Sequence, residues 1–195
     1  MIVSDGNELK KKVQEIESVF EKLDASISSF QKETSLHCKF GCGKCCFKPD
    51  IEATLLEFIP LAHYVYENNQ AEEWLLRLSD TNSTVCLILN ASQSGAGLCS
   101  QYTHRGLICR LFGYSARTNK YEKKELVTCQ LIKTEQQSFF KQAEEKIEQG
   151  LTVPIMSEYY MRLASIDFNL SREFYPINVA IRKAIEYVLS YYAYR

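Results

Sequence analysis

The amino-acid sequence predicts a mainly α fold, a single helical domain that carries a small β-containing, cysteine-rich module. Three observations lead there. Apolar residues recur at helical spacing towards both ends of the chain, short extended runs are confined to its middle, and all eight cysteines fall between residues 38 and 129. A chain of 195 residues can bury a hydrophobic core without cross-links. With 46% hydrophobic and 24% charged residues, it has the composition of an ordered soluble protein rather than a disordered one. No long linker, internal repeat or low-complexity tract divides it. Residues 1–195 therefore read as one domain in three parts: a heptad helix over 6–33, a cysteine module over 38–130 and C-terminal helices over 131–195.

The first element follows from Leu9, Val13, Ile16, Phe20, Leu23, Ile27 and Phe30, which alternate spacings of four and three. That is a heptad seam on one helix face, and Asp5 with Glu8 precedes it as a capping box. Such a stripe either packs on the chain's own helices or pairs with a protein partner or a second copy. Packing within the chain is the expected use.

Thr54 followed by Glu57 makes a second capping box and opens a helix through Leu55, Leu56, Phe58, Ile59, Ala62 and Val65. Pro60 falls inside it, and an interior proline removes a hydrogen bond and clashes with the preceding turn. A kink or two short helices is expected, followed by a short helix in "EEWLLRL". From Val85 the runs "VCLIL", "GLCSQY" and "ICRLFGYSAR" read as extended. The Thr118–Lys120 turn before "YEKKELVTC" predicts a hairpin. Helix returns after Cys129, over Ile132 to Gln149 with Gly150 closing it, over Ser157 to Asn169, and from Pro176 onward. The last segment lines up Ile177, Ile181, Ala184, Ile185, Val188 and Tyr192 on one face.

The net charge is −1 and the pI near 6.3, so no overall basic balance favours nucleic acid or an anionic membrane. The N-terminal residues lack the apolar core of a signal peptide, and no run reaches the roughly 18 apolar residues of a membrane span. A cytoplasmic location with no membrane partner is expected. In that reducing compartment, clustered thiols point to metal binding or redox chemistry rather than disulfides.

The cluster lies in "HCKFGCGKCCFKPD", which places Cys38, Cys42, Cys45 and Cys46 within nine positions. Within it, Cys42-Gly-Lys-Cys45 lets two thiolates reach one metal from a tight turn. Glycines on either side allow backbone N–H groups to point at sulfur. Cys45 and Cys46 are adjacent, and neighbouring side chains tend to diverge. A multi-metal cluster, two nearby sites, or one ligand beside a bystander accommodates them better than one mononuclear zinc. Lys39, Lys44 and Lys48 are available to offset thiolate charge, His37 and His104 are candidate nitrogen ligands, and His63 reads as structural. A thioredoxin-type dithiol would need a preceding strand and a βαβ setting, whereas a long amphipathic helix precedes this motif. Arg105 and Arg110 are available to neutralise the cluster, to bind an anionic substrate or to pair with core carboxylates, the last being the favoured reading. No catalytic carboxylate pair, Ser/His/Asp set or phosphate-binding loop stands out, so the sequence supports no enzymatic activity.

Several pieces in order resemble the YkgJ-type cysteine-cluster family, described as a zinc- or iron-chelating domain. "FGCGKCC" is similar to its opening cluster, with the Thr54–Glu57 helix start following. "CLIL" from Cys86 stands in the place of its cysteine-led apolar strand. "GLCSQYTHRGLICRLFGY" is similar to its cysteine, aromatic, Arg-Pro and Cys-Arg segment, and Cys129 to its closing cysteine. The resemblance covers residues 38–130. Arg105-Gly106 departs from the family's Arg-Pro, and His104 stands near a position that is commonly acidic.

The resemblance implies chelation by most or all of the eight cysteines. Cys42 and Cys45 lead by spacing and Cys99 and Cys109 by flanking the Arg105 turn, with Cys38, Cys46, Cys86 and Cys129 next. The expected function is a metal-binding protein holding zinc or an iron–sulfur cluster, the two metals left open by thiolate chemistry. Flagellin lysine-N-methylases carry a related cluster and are iron–sulfur proteins. The alternatives are accordingly an iron–sulfur-dependent enzyme of methylation or redox chemistry, or a helical interaction module with structural zinc.

Overall fold

The computed structural model describes residues 7–39, 41–79, 85–91 and 97–194; Asp5 of the first expected capping box lies outside the described residues. The fold is mainly α. Its strands form three two-stranded antiparallel pairs: β1 (Glu52–Thr54) with β6 (Phe174–Pro176), β2 (Leu89–Ala91) with β3 (Gly97–Cys99), and β4 (Ser115–Thr118) with β5 (Lys124–Val127). The expected heptad helix is α1 (Asn7–Thr34). No residue of its apolar stripe is more than 7% exposed, so the chain itself covers the seam.

By backbone contacts the chain divides into two compact units, each assembled from separated stretches: Met1–Ser18, Gly41–Gly106 and Leu163–Arg195 in the first, Val19–Phe40 and Leu107–Arg162 in the second. In the first unit the Thr54 capping box forms. The Thr54 N–H donates to Glu57 Oε1 at 2.8 Å, and both residues are fully buried. The chain then makes a 3₁₀ turn (Leu56–Phe58) and enters α2 (Ile59–Glu67), so the expected helix is two pieces. Pro60 falls in the first turn of α2, where no backbone donor is needed. Next comes α3 (Ala71–Leu78), the helix read from "EEWLLRL".

Helix α9 (Ile177–Ala193) packs on α2 and α3 and buries Ile177, Ile181, Ala184, Ile185 and Val188. Each large apolar side chain fully buried there contributes about 1.5–3 kcal/mol. The start of α9 also anchors the loop after the cysteine cluster. Ile177 N–H donates to Ile51 O at 2.9 Å, directly beside the β1–β6 ladder.

In the second unit, "ICRLFGYSAR" is not extended throughout. Leu107–Leu111 form the short helix α4, and the strand begins only at Ser115. Leu107 and Leu111 lie one turn apart and are both fully buried, so helical rather than alternating spacing serves the core here. Arg110 pairs with Asp24 and sits 4.6 Å over the Phe20 ring. The predicted hairpin forms, its turn held by Asn119 Oδ1 accepting from the N–H groups of Tyr121 and Lys123.

The helix expected over Ile132 to Gln149 is interrupted. It forms α5 (Gln130–Glu135) and α6 (Gln137–Glu148), broken at Gln136, whose backbone leaves the helical region (φ −121°, ψ 37°). The side chain at that break reaches back to His37, accepting from its N–H at 3.1 Å and donating to its carbonyl at 2.6 Å. Phe30, Leu36, Leu126, Ile132 and Ile147 form the apolar core of this unit. The segment Ser157 to Asn169 likewise splits, into α7 (Met156–Ala164) and α8 (Phe168–Ser171). Asp167 caps the second piece, accepting from Leu170 N–H at 3.1 Å, and pairs with Lys12 at 2.6 Å.

Candidate metal centre

Five of the eight cysteines, Cys42, Cys45, Cys46, Cys86 and Cys99, belong to the first unit. The turn around Cys42 depends on its glycines. Gly41 (φ +70°) and Gly43 (φ +55°) both occupy the left-handed region that glycine adopts without steric cost. Gly43 then leads into a 3₁₀ turn over Lys44–Phe47, with Cys46 N–H bonded to Gly43 O at 2.8 Å. The tight winding brings the sulfurs of Cys45 and Cys46 to 4.0 Å from each other. Adjacent side chains were expected to diverge, and in this 3₁₀ turn they converge.

Cys86 lies beside this pair. Its N–H donates to Cys46 O at 3.2 Å, and residues 86–89 form a turn, with Leu89 N–H on Cys86 O at 3.0 Å, where an extended run was expected. Cys99 ends β3 opposite Leu89. The next residue, Ser100, is tied to the Cys86 turn, its N–H and Oγ each donating to Ile88 O at 2.9 Å. Across the other side of Cys86, Asn178 Oδ1 accepts from Leu87 N–H and Asn178 Nδ2 donates to Val85 O, both at 2.9 Å.

The electrostatics link the same thiols. Cys45 is exposed, and a hydrogen bond from Cys46, assisted by nearby backbone N–H groups and the Arg105 guanidinium, lowers its pKa to about 6 despite partial desolvation. Cys86 is buried, and burial pushes its thiol up to about 11, with negative charge on Cys99 and Cys45 adding to the effect. One thiol is therefore a thiolate at neutral pH, and its neighbour keeps its proton until a metal displaces it.

The donor set suits a soft metal. Four thiolates about 2.3 Å from a tetrahedral ion stand about 3.8 Å apart, close to the Cys45–Cys46 separation. Among the described residues, no three Cys, His, Asp or Glu side chains already meet as a closed cage. The pair fits two corners of such a site, and Cys86 and Cys99 are its electrostatic neighbours.

Cys38, Cys109 and Cys129 belong to the second unit: Cys38 follows α1, Cys109 lies on α4, and Cys129 caps α5, its sulfur accepting from Ile132 N–H at 3.5 Å. Of the candidate nitrogen ligands, His37 is exposed with Nδ1 3.1 Å from Ser35 O. His104 stacks on Tyr64 at 4.4 Å and meets Thr103 Oγ1 at 3.2 Å. His63 is structural as expected, hydrogen-bonded to Tyr192 at 3.2 Å, and burial lowers its pKa. Arg110 pairs with a carboxylate, as expected of it, and the Arg105 guanidinium lies 4.1 Å over the Tyr102 ring. Lys39, Lys44 and Lys48 are all exposed.

Residues 37–145 match a family model described as CxxCxxCC, "putative zinc- or iron-chelating domain". The chain belongs to the CxxCxxCC family. No curated protein and no solved structure matches the chain. In this CxxCxxCC protein the departure at Gly106 has a packing reason. A Cβ at that position would stand 2.8 Å from Phe58 Cζ and 3.2 Å from Glu57 Oε2, so the fully buried Phe58 ring occupies the space that a larger residue needs.

Two residues of the site's surroundings escaped sequence reasoning: Asn178 and Gln136, each holding a cysteine-bearing or cysteine-adjacent segment by both backbone groups. Asn178 lies in the first turn of a helix chosen by its apolar face, and Gln136 inside a continuous helical pattern. Neither position carries a spacing signal. Among the described residues no helix is long and apolar enough to cross a membrane.

Proposed function

We propose that this protein chelates a single thiophilic ion, zinc or iron, through thiolates of the first unit drawn from Cys45, Cys46, Cys86 and Cys99, with Cys42 in the same turn. The 4.0 Å approach of the Cys45 and Cys46 sulfurs carries this reading, because it matches two corners of a mononuclear tetrahedral thiolate site. Four thiolates around a divalent ion leave a net charge of about −2, and the Arg105 guanidinium acts on Cys45 from nearby. The ion ties together loops that have little apolar core of their own. Binding is thus coupled to the order of these loops.

Anaerobic purification followed by metal and sulfide analysis and an absorption spectrum tests the proposal. A colourless protein with about one zinc, or a coloured one with about one iron and no sulfide, is the expected outcome for a mononuclear site. Iron with matching sulfide would replace the single ion by an iron–sulfur cluster. Absence of any metal after reconstitution would refute chelation. Serine variants of Cys38, Cys109 and Cys129 that keep their metal would place the ligands in the first unit, and loss of metal in any of them would extend the ligand set to the second.

A further inference from the structure

We infer that Asn178 is a positioning residue for the Cys86 thiol, and that the first turn of α9, beyond residues 37–145 of the family match, sets the geometry of the metal centre. The inference rests on the proposed chelation at Cys86 and concerns how that thiol is held.

The Asn178 amide bridges the backbone on both sides of Cys86. Its oxygen accepts from Leu87 N–H and its nitrogen donates to Val85 O, each at 2.9 Å. This is the pairing a neighbouring β-strand would supply, here provided by one side chain. The clamped residue's own N–H goes to Cys46 O at 3.2 Å. The backbone at Cys86 is thereby fixed between α9 on one side and the Cys45–Cys46 turn on the other. The same helix start holds the far end of that turn's loop through Ile177 N–H on Ile51 O at 2.9 Å.

Among the described residues, apolar packing adds little to these hydrogen bonds. The 3₁₀ turn bearing Cys45 and Cys46 has no buried residue, so apolar packing does not fix it. Residues 86–89 contribute only Cys86 and Ile88 to the core. A residue that orients a metal ligand through hydrogen bonds alters metal affinity when removed, commonly by about 10- to 100-fold.

The test compares Asn178→Ala, the near-isosteric Asn178→Asp and, as a packing control on the same helix, Ile181→Val. Zn(II) affinity is measured by competition with a chelator, and the alkylation rate of Cys86 in the metal-free protein by peptide mapping. Asn178→Ala is expected to weaken Zn(II) binding about 10- to 100-fold and to speed Cys86 alkylation. Asn178→Asp keeps the acceptor for Leu87 but sets a carboxylate oxygen against the Val85 carbonyl, so it is expected to match or exceed that loss although it fills the same space. Ile181→Val is expected to keep both values while lowering the melting temperature. Wild-type affinity and wild-type Cys86 alkylation in Asn178→Ala, or in Asn178→Asp, would overturn the inference. If the wild-type protein binds no Zn(II), the proposed chelation of zinc fails, and the alkylation rates alone still decide whether Asn178 holds Cys86.

Discussion

Within the first unit, the helical floor and the cysteine loops that adjoin it are built by different forces. In the floor, Leu56, Phe58, Ile59, Leu61 and Val65 around α2 and Ala180, Ile181 and Ala184 on α9 are fully buried, so apolar burial holds the helices in place. In the loops, no residue of Lys44–Phe47 is fully buried, and the backbone is held by discrete hydrogen bonds: Cys46 to Gly43, Cys86 to Cys46, Ser100 to Ile88, and the Asn178 bridge. Floor and loops should therefore fail separately. Core substitutions should unfold the unit whether or not metal is bound, whereas ligand substitutions should remove metal and leave the floor standing.

The largest effect is expected in the floor. Leu61→Ala should cost about 2–5 kcal/mol of unfolding free energy in both metal-free and metal-loaded protein, because Leu61 is fully buried and offers no metal ligand. Denaturant unfolding of both forms checks this, and a cost confined to the loaded form would merge the two regions.

Gly106→Ala sharpens the boundary between them. The new Cβ would meet the Phe58 ring at 2.8 Å, an overpacking expected to cost about 1–3 kcal/mol. Phe58→Leu in the same chain should return part of that loss, because it removes the ring atoms in contact. Strictly additive costs in the double variant would show that the ring is not the obstacle.

A smaller change is expected in the second unit, where Gln136 clamps His37 immediately before Cys38. These hydrogen bonds are partly open to water, so Gln136→Ala should cost about 1 kcal/mol. It should raise hydrogen exchange at His37 while leaving the Cys86 segment protected. Exchange that rises equally in both segments would contradict local clamping.

The smallest signal is in protons. With Cys86 at about 11 in the metal-free protein, ion binding through it releases a proton at any ordinary pH. Cys45, at about 6, is already a thiolate at pH 7.5 and becomes protonated below pH 6. Proton release per ion should therefore rise by about one on going from pH 7.5 to pH 5. Calorimetry in buffers of different ionisation enthalpy measures it, and an unchanged count would remove Cys45 from the site.

How much was legible in the sequence follows the same division. Periodicity identified α1 and α9 because each buries one continuous face, from Leu9 to Phe30 and from Ile177 to Val188. The Thr54–Glu57 signal was legible because a capping box is local chemistry. What escaped depends on contacts distant in sequence. Gln136 breaks a helix to reach His37, Asp167 starts a new one while pairing with Lys12, and Leu107–Leu111 turn helical to bury two leucines. In the site, spacing singled out Cys42 and Cys45. The 4.0 Å approach of Cys46 to Cys45 needed the 3₁₀ winding after Gly43, which the sequence does not specify by spacing alone.

The central claim is that the vicinal thiols grip the ion, and the most direct measurement is the metal-to-protein ratio of anaerobically purified Cys45→Ser and Cys46→Ser beside the wild type. Serine is nearly the same size as cysteine and a far poorer ligand for a soft metal. About one ion is expected in the wild type, with most of it lost in both variants, and metal-free melting temperatures should stay together because the floor is intact. Full metal occupancy in both variants would contradict it.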